Sequence, residues 1–326
     1  MPIRELKMGQ ATRAAYGKAL VDLGAELPNL VGLDADLSKS TYTNKFQAKF
    51  PERHFNCGIA EADMVSIAAG LAGAGKIPFC SSFATFLLCK GMDQLRISVS
   101  YAQMNVKVAG THCGIAIGED GPSQQAVEDL ALALALPKFS VIVPADEVSA
   151  YQLVKTVAKT PGAVYLRLGR ANVPIIYKPE DTFPLGRIKV LQEGADVTLM
   201  GHGLHVAECL KAADILAEKG IAATVIDAYC LKPFDHKTLQ KYAKQTGAIV
   251  TAEDHLIWGG LGSVVAQSLA LHTPALLECV GLEDTYAESG STEELLARYK
   301  LLAADIAAKA EAVVARKKAS RALAQV

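Results

Sequence analysis

In FNCGIAEADMVSIAAGLAGAGKIPFCSSF, residues 55–83, a run of apolar and small residues is broken by GAGK and then resumes as the β-rich segment KIPFCSSF. The first part reads as an apolar helix opening near Glu61, the glycines as its stop, and the last part as a strand. Gly70 to Lys76 also has the spacing of a phosphate-binding loop, but Ile77 stands where a Ser or Thr must hold Mg2+. Such a loop also runs from strand to helix, the reverse of the order here.

Outward from this passage the same alternation repeats. LVGLDADL at 30–37, VKVAGTH at 106–112, SVIVPAD at 140–146 and AVYLRLG at 163–169 are short β-rich runs separated by helical patterns, and a helix over Ala11 to Leu23 precedes the first. This order predicts an α/β domain, doubly wound, with a mainly parallel sheet covered on both faces. Residues 173–195 carry three prolines and mixed charge, the composition of a connector. DVTLMGHG, IAATVIDA, GAIVTAED and PALLECVG then resume the alternation before an Ala-rich tail, so a second, smaller α/β domain of the same kind is expected. The boundaries drawn from this are a first domain over 1–175, a linker over 176–192 and a second domain over 193–326.

Composition narrows the function. The 326 residues carry 33 basic and 34 acidic side chains, too even a balance to hold nucleic acid or an anionic membrane by a general field. The start, MPIRELKMGQAT, lacks the apolar core of a signal peptide, and apolar runs such as Ala131 to Leu136 are too short to span a bilayer. A cytoplasmic protein is expected. The seven cysteines include no C-x-x-C pair, which fits buried free thiols better than a disulfide or zinc framework, and no metal ligands are assigned to this chain. GHGLHV at 201–206 lacks the third glycine of a dinucleotide-binding turn.

Two constellations carry chemistry. Glu61 falls in the first turn of an apolar helix, where the dipole and free amides favour a carboxylate. If that helix is buried, desolvation makes Glu61 an acid able to share a proton with a buried ring nitrogen. In GTHCGIAIGEDGPSQQAVEDLALALALP, 110–137, a strand ends at His112, and a loop with Glu119 and Asp120 leads into an apolar helix. Polar groups thus gather at the carboxyl end of a parallel strand, where ligands bind.

GIAEADMVSIAAGLA, SSFATFLL, GTHCGIAIGEDGPSQQAVEDLALALALP, RLGRANVP and EDHLIWGGLG together resemble the C-terminal half of transketolases, thiamine-diphosphate enzymes that move two-carbon ketol units. The resemblance covers nearly the whole chain and implies a pyrimidine-binding domain followed by a transketolase C-terminal domain. It assigns Glu61 to N1′ of the aminopyrimidine, where it favours the imino tautomer that takes the thiazolium C2 proton and so gives the reactive ylid. Phe83 and Phe86 match aromatics that pack the pyrimidine, and Asp36 an aspartate near the cofactor and subunit contact. His112 would contact substrate oxygens and Asp120 would order sugar hydroxyls. Arg13, Ser40 and Arg170 match the groups that hold the sugar phosphate, arginines being suited to charge-assisted grip.

Departures and absences matter too. Cys89 stands where the family often has a tyrosine, and Gln124 replaces a histidine near the reacting end of the sugar. The G-D-G motif and following Asn that hold Mg2+ and the diphosphate have no counterpart here. The resemblance therefore implies the C-terminal subunit of a split transketolase, with a separate N-terminal subunit supplying the Mg2+ ligands, self-association as a dimer, and an α2β2 heterotetramer acting on sugar phosphates. The β subunit of a 2-oxoacid dehydrogenase, a deoxyxylulose-phosphate-synthase-like protein and a non-catalytic transketolase-like regulatory subunit are the alternatives. GEDGPSQQ and the paired arginines argue against the dehydrogenase; retention of Glu61, His112 and Asp120 argues against a non-catalytic role.

Overall fold

The computed structural model describes residues 3–323. Its first sheet has seven strands in the spatial order Cys230–Lys232, Phe139–Ile142, Ala163–Arg167, Lys107–Thr111, Ile77–Phe83, Leu30–Asp34 and His54–Asn56. All are parallel except the Cys230–Lys232 edge, which runs antiparallel to Phe139–Ile142. The central strands Leu30–Asp34, Lys107–Thr111 and Ala163–Arg167 are buried at every position. Covered on both faces, they read as mainly apolar runs without strict alternation, with Asp34, Lys107, Thr111 and Arg167 buried at their ends.

Helix Glu61–Gly73 packs on strand Ile77–Phe83, and Gly75, at φ +80°, lets the chain reverse between them. The GLAGAGK passage is thus a helix stop. On another flank, helix Thr12–Glu26 packs against Glu147–Lys159, whose start is fixed by a reciprocal Asp146–Ser149 capping box.

The second sheet runs Leu276–Leu282, Ala248–Leu256, Val197–Gly201, Ala223–Asp227 and Lys189–Gln192, parallel except for the last strand. Helices His205–Glu218 and Ala303–Leu323 pack on it. Two features were not visible in the pattern. Lys189–Gln192, inside the stretch read as a connector, is an edge strand of the second sheet, and Tyr177 and Phe183 of that stretch are buried. Cys230–Lys232 leaves the second half of the chain to close the edge of the first sheet. One apolar cluster correspondingly runs from Val65 and Val108 through Leu136 to Ile226 and Leu261, so the two halves share a core. No described helix is long and apolar enough to cross a membrane.

Candidate active site

Glu61 is the first residue of its helix and its side chain is only 2% exposed. Ala60 before it offers no side-chain cap, so the opening amides face the carboxylate's end of the helix without a competing acceptor. Ser82, in the adjacent strand, donates its hydroxyl to Glu61 Oε1 at 3.1 Å, and Lys90 Nζ lies 3.5 Å from Oε2. The carboxylate therefore sits at the carboxyl edge of the parallel sheet.

Phe83 ends that strand. Its ring stacks on Phe86 with centroids 5.5 Å apart at 12°, and on His112 at 3.8 Å and 25°. His112 follows strand Lys107–Thr111 with φ +59°, a left-handed conformation that costs a side-chain-bearing residue. Its hydrogen bonds assign the tautomer. The Thr111 hydroxyl gives its only proton to Ser82 O at 3.2 Å, so it accepts from His112 Nδ1–H at 2.8 Å. Nε2 then bears the lone pair and accepts from the Arg13 guanidinium at 2.8 Å. Burial first, then the Arg13 and Arg170 charges, push the His112 pKa down to about 3, so the ring is neutral at physiological pH.

Arg13 stands in the first turn of helix Thr12–Glu26, bonds Ser40 O at 2.7 Å and lies over the Tyr42 ring at 5.4 Å. Burial lowers its pKa, with the Arg170 charge acting in the same direction. Arg170 donates to Ile117 O at 2.5 Å and to Glu119 at 3.0 Å. Asp120 is exposed and close enough to act on the Arg13 charge.

The structure thus brings Glu61, Phe83, Phe86, His112, Arg13, Ser40 and Arg170 into one connected group, Ser40 through its carbonyl. Asp36 and Gln124 stay on flanking loops with local partners: Asp36, at φ +63°, accepts from Asn56 at 3.4 Å, and Gln124 donates to Ser123 at 2.9 Å. Cys89 is exposed and points its sulfur at Glu128, 3.8 Å away.

Ser82, Thr111 and Lys90 were not singled out from sequence, nor was the clamp behind the loop at 113–128. Arg167, fully buried, donates to Asp129 at 2.8 and 3.1 Å, to Asp254 at 2.8 Å and to Ala126 O at 3.2 Å. Burial acts to raise the Asp129 carboxyl, but Arg167 and His255 more than offset it. Leu256 N–H bonds Val127 O at 2.9 Å, Thr292 bonds Ala116 O at 3.0 Å, and Gln125 bonds Glu288 O at 3.1 Å. Gly114, at φ +68°, lies so close to Asp254 that a Cβ would fall 1.7 Å from its carboxylate oxygen. The second half of the chain therefore holds the loop that carries Asp120. The legible signal was a charge inside each of two apolar strands, Arg167 in AVYLR and Asp254 in AIVTAEDHL.

A groove of about 1010 Å3, lined by Lys18, Lys45, Glu147, Tyr151 and Gln152 among others, contains none of the expected site residues. Among the described residues no group of three or more His, Cys, Asp or Glu is placed to hold a metal ion.

Comparison with known proteins adds family relationships. The family model for the transketolase pyrimidine binding domain matches residues 8–175, and that for the transketolase C-terminal domain matches 186–306. A 6-deoxy-6-sulfo-D-fructose transketolase subunit from Clostridium sp. (strain MSTE9) is 37% identical, the match covering 94% of this chain and 95% of that one. Homo sapiens transketolase is 38% identical over 93% of this chain, which spans 48% of the human protein's length. A solved structure described as a split gene transketolase, inactive beta4 tetramer, is 48% identical with a TM-score of 0.89, covering 94% of this chain and 99% of that one.

Proposed function

The chain belongs to the transketolase family, and from that premise we propose that it is the pyrimidine-binding subunit of a two-subunit transketolase, moving a two-carbon ketol unit from a ketose phosphate to an aldose phosphate. The observation that carries this is a buried Glu61 carboxylate, one oxygen held by Ser82 and the other met by a half-exposed lysine, beside the stacked Phe83 and Phe86 rings. A flat heteroaromatic with a ring nitrogen fits that arrangement: the rings offer apolar faces and the carboxylate a hydrogen-bond acceptor. Bound thiamine diphosphate would supply the carbon nucleophile that accepts the two-carbon unit.

The remaining work falls to this chain's residues. Glu61 would hold the pyrimidine nitrogen and exchange a proton with it, and the burial of the carboxylate would strengthen that hydrogen bond. Phe83 and Phe86 exclude water from it. His112, with Nδ1–H committed to Thr111, offers only the Nε2 lone pair, so it accepts a sugar hydroxyl once Arg13 turns to a phosphate. Arg13 and Arg170 supply two guanidinium forks for that phosphate, and Asp120 an acceptor for hydroxyls between.

The split-gene relative and the transketolase subunit of similar length support a separate N-terminal partner bearing the Mg2+ and diphosphate ligands. Ile59, 79% exposed, and Ile67 form an apolar edge around helix Glu61–Gly73 suited to a second copy across a two-fold axis. Reconstituting the chain with a diphosphate-binding partner, Mg2+ and thiamine diphosphate should give ketol transfer when ketose and aldose phosphates are screened. Cofactor binding without transfer from any sugar phosphate would refute the assignment.

A further inference from the structure

Lys90 Nζ lies 3.5 Å from Glu61 Oε2 and 4.6 Å from the centre of the Phe86 ring. The reason is local: Phe86–Lys90 forms a π-helical turn, whose broad i→i+5 coil keeps residues four apart on the same side, and the lysine folds back over Phe86. Glu61 and Phe86 are the two groups that, on the function proposed above, receive the pyrimidine nitrogen and face. An ammonium and an aromatic ring cannot occupy both at once. Glu61 is 2% exposed and Lys90 54%, so the lysine is the group free to leave.

We propose that Lys90 is a further residue of the cofactor site, a displaceable counter-ion that neutralises buried Glu61 until the pyrimidine enters and then swings into solvent. This rests on the transketolase reading. A buried carboxylate with no partner is costly, and Ser82 supplies only one neutral hydrogen bond. Asp63, Asp93 and Arg96 on the helical elements packed here, and Asp34 on strand Leu30–Asp34, form no hydrogen bond or ion pair with Glu61; among the described residues Lys90 is its one cationic partner.

A double-mutant cycle tests the idea. Thiamine diphosphate with Mg2+ is titrated calorimetrically into the reconstituted two-subunit complex carrying wild-type chain, Lys90→Met, Lys90→Arg, Glu61→Gln, or Lys90→Met with Glu61→Gln. Lys90→Met should tighten cofactor binding by about two- to fivefold, the scale of a half-exposed ion pair. Lys90→Arg should stay near wild type, and in the Glu61→Gln background Lys90→Met should change nothing. Unchanged or weaker binding in Lys90→Met, or an effect of the same size whether or not Glu61→Gln is also present, would overturn the counter-ion role. A wild-type complex that binds no thiamine diphosphate would instead refute the proposed function and remove this inference with it.

Discussion

Replacing Glu61 by Gln separates chemistry from folding. The amide keeps the side chain's length and its oxygen still accepts from Ser82, whose bond to Oε1 is 3.1 Å in the parent. What is lost is the Lys90 pair, about 0.2–1 kcal/mol for a partner that is half exposed, and the charge at the helix N-terminus, about 0.3–1 kcal/mol. Relief from burying a carboxylate opposes both losses. Net stability should therefore move by no more than about 1 kcal/mol, a Tm shift of a few degrees at most for a chain of this size. Turnover should respond very differently. An amide cannot exchange the ring-nitrogen proton, and losing a positioned acid–base group lowers rates about 10²–10⁴-fold, or roughly 3–5 kcal/mol of barrier. The assay pairs thermal melts with kcat in the reconstituted complex at saturating cofactor. Native melting with kcat within about threefold of wild type would refute the assignment of Glu61, since an effect that small lies well below general acid–base catalysis.

Arg13→Ala and Arg170→Ala should each raise KM for phosphorylated sugars by roughly tenfold to a hundredfold, from about 1.5–3 kcal/mol per charged hydrogen bond; equal losses on unphosphorylated analogues would show a structural role. Asp254→Ala leaves buried Arg167 with a broken clamp and should cost about 3–5 kcal/mol in denaturant unfolding, whereas an unchanged midpoint would show that the second half does not brace the loop. For pH, an unfolded imidazole binds its proton near 6.5 while native His112 stays neutral down to about 3, so stability is complete above pH 6.5 and falls as pH drops toward 3. His112→Asn, which tolerates the left-handed backbone, should flatten the loss in urea midpoint between about pH 7 and 5; an identical pH slope would contradict a neutral His112. The isolated chain should bind thiamine diphosphate weakly and turn over nothing, and tight Mg2+-dependent binding with turnover in calorimetry and a coupled assay would contradict the need for a partner.

The parallel core was legible because its strands are buried on both faces and stand in the sequence as short β-rich runs without strict polar alternation: KIPFCSSF became Ile77–Phe83 and VKVAGTH became Lys107–Thr111. The edges were not. His54–Asn56 and Cys230–Lys232 are three residues each, too short to show a period of two, and the second crosses between halves of the chain, which no local pattern encodes. Lys189–Gln192 hid in a proline-bearing stretch for the same reason. At the candidate site, residues with distinctive chemistry in a recognised motif could be singled out from sequence, whereas Ser82 and Thr111 could not, since a hydroxyl in a β-rich run reads as ordinary strand composition.

His112 shows why the missed hydroxyls matter. A non-glycine residue at φ +59° persists only where its surroundings over-determine it, and each constraint here comes from a different element: Thr111 holds Nδ1, Arg13 holds Nε2, and Phe83 covers the ring face. The Thr111 hydroxyl is turned toward the ring as an acceptor because its own proton goes to Ser82 O, one residue before Phe83 and in the same residue whose side chain holds Glu61. Ser82 therefore joins the carboxylate expected to meet the cofactor to the imidazole expected to meet the sugar, through one backbone carbonyl and one hydroxyl. A shift in strand Ile77–Phe83 would disturb both together. The two constellations, far apart in the sequence at Glu61 and His112, are one hydrogen-bonded unit in the folded chain.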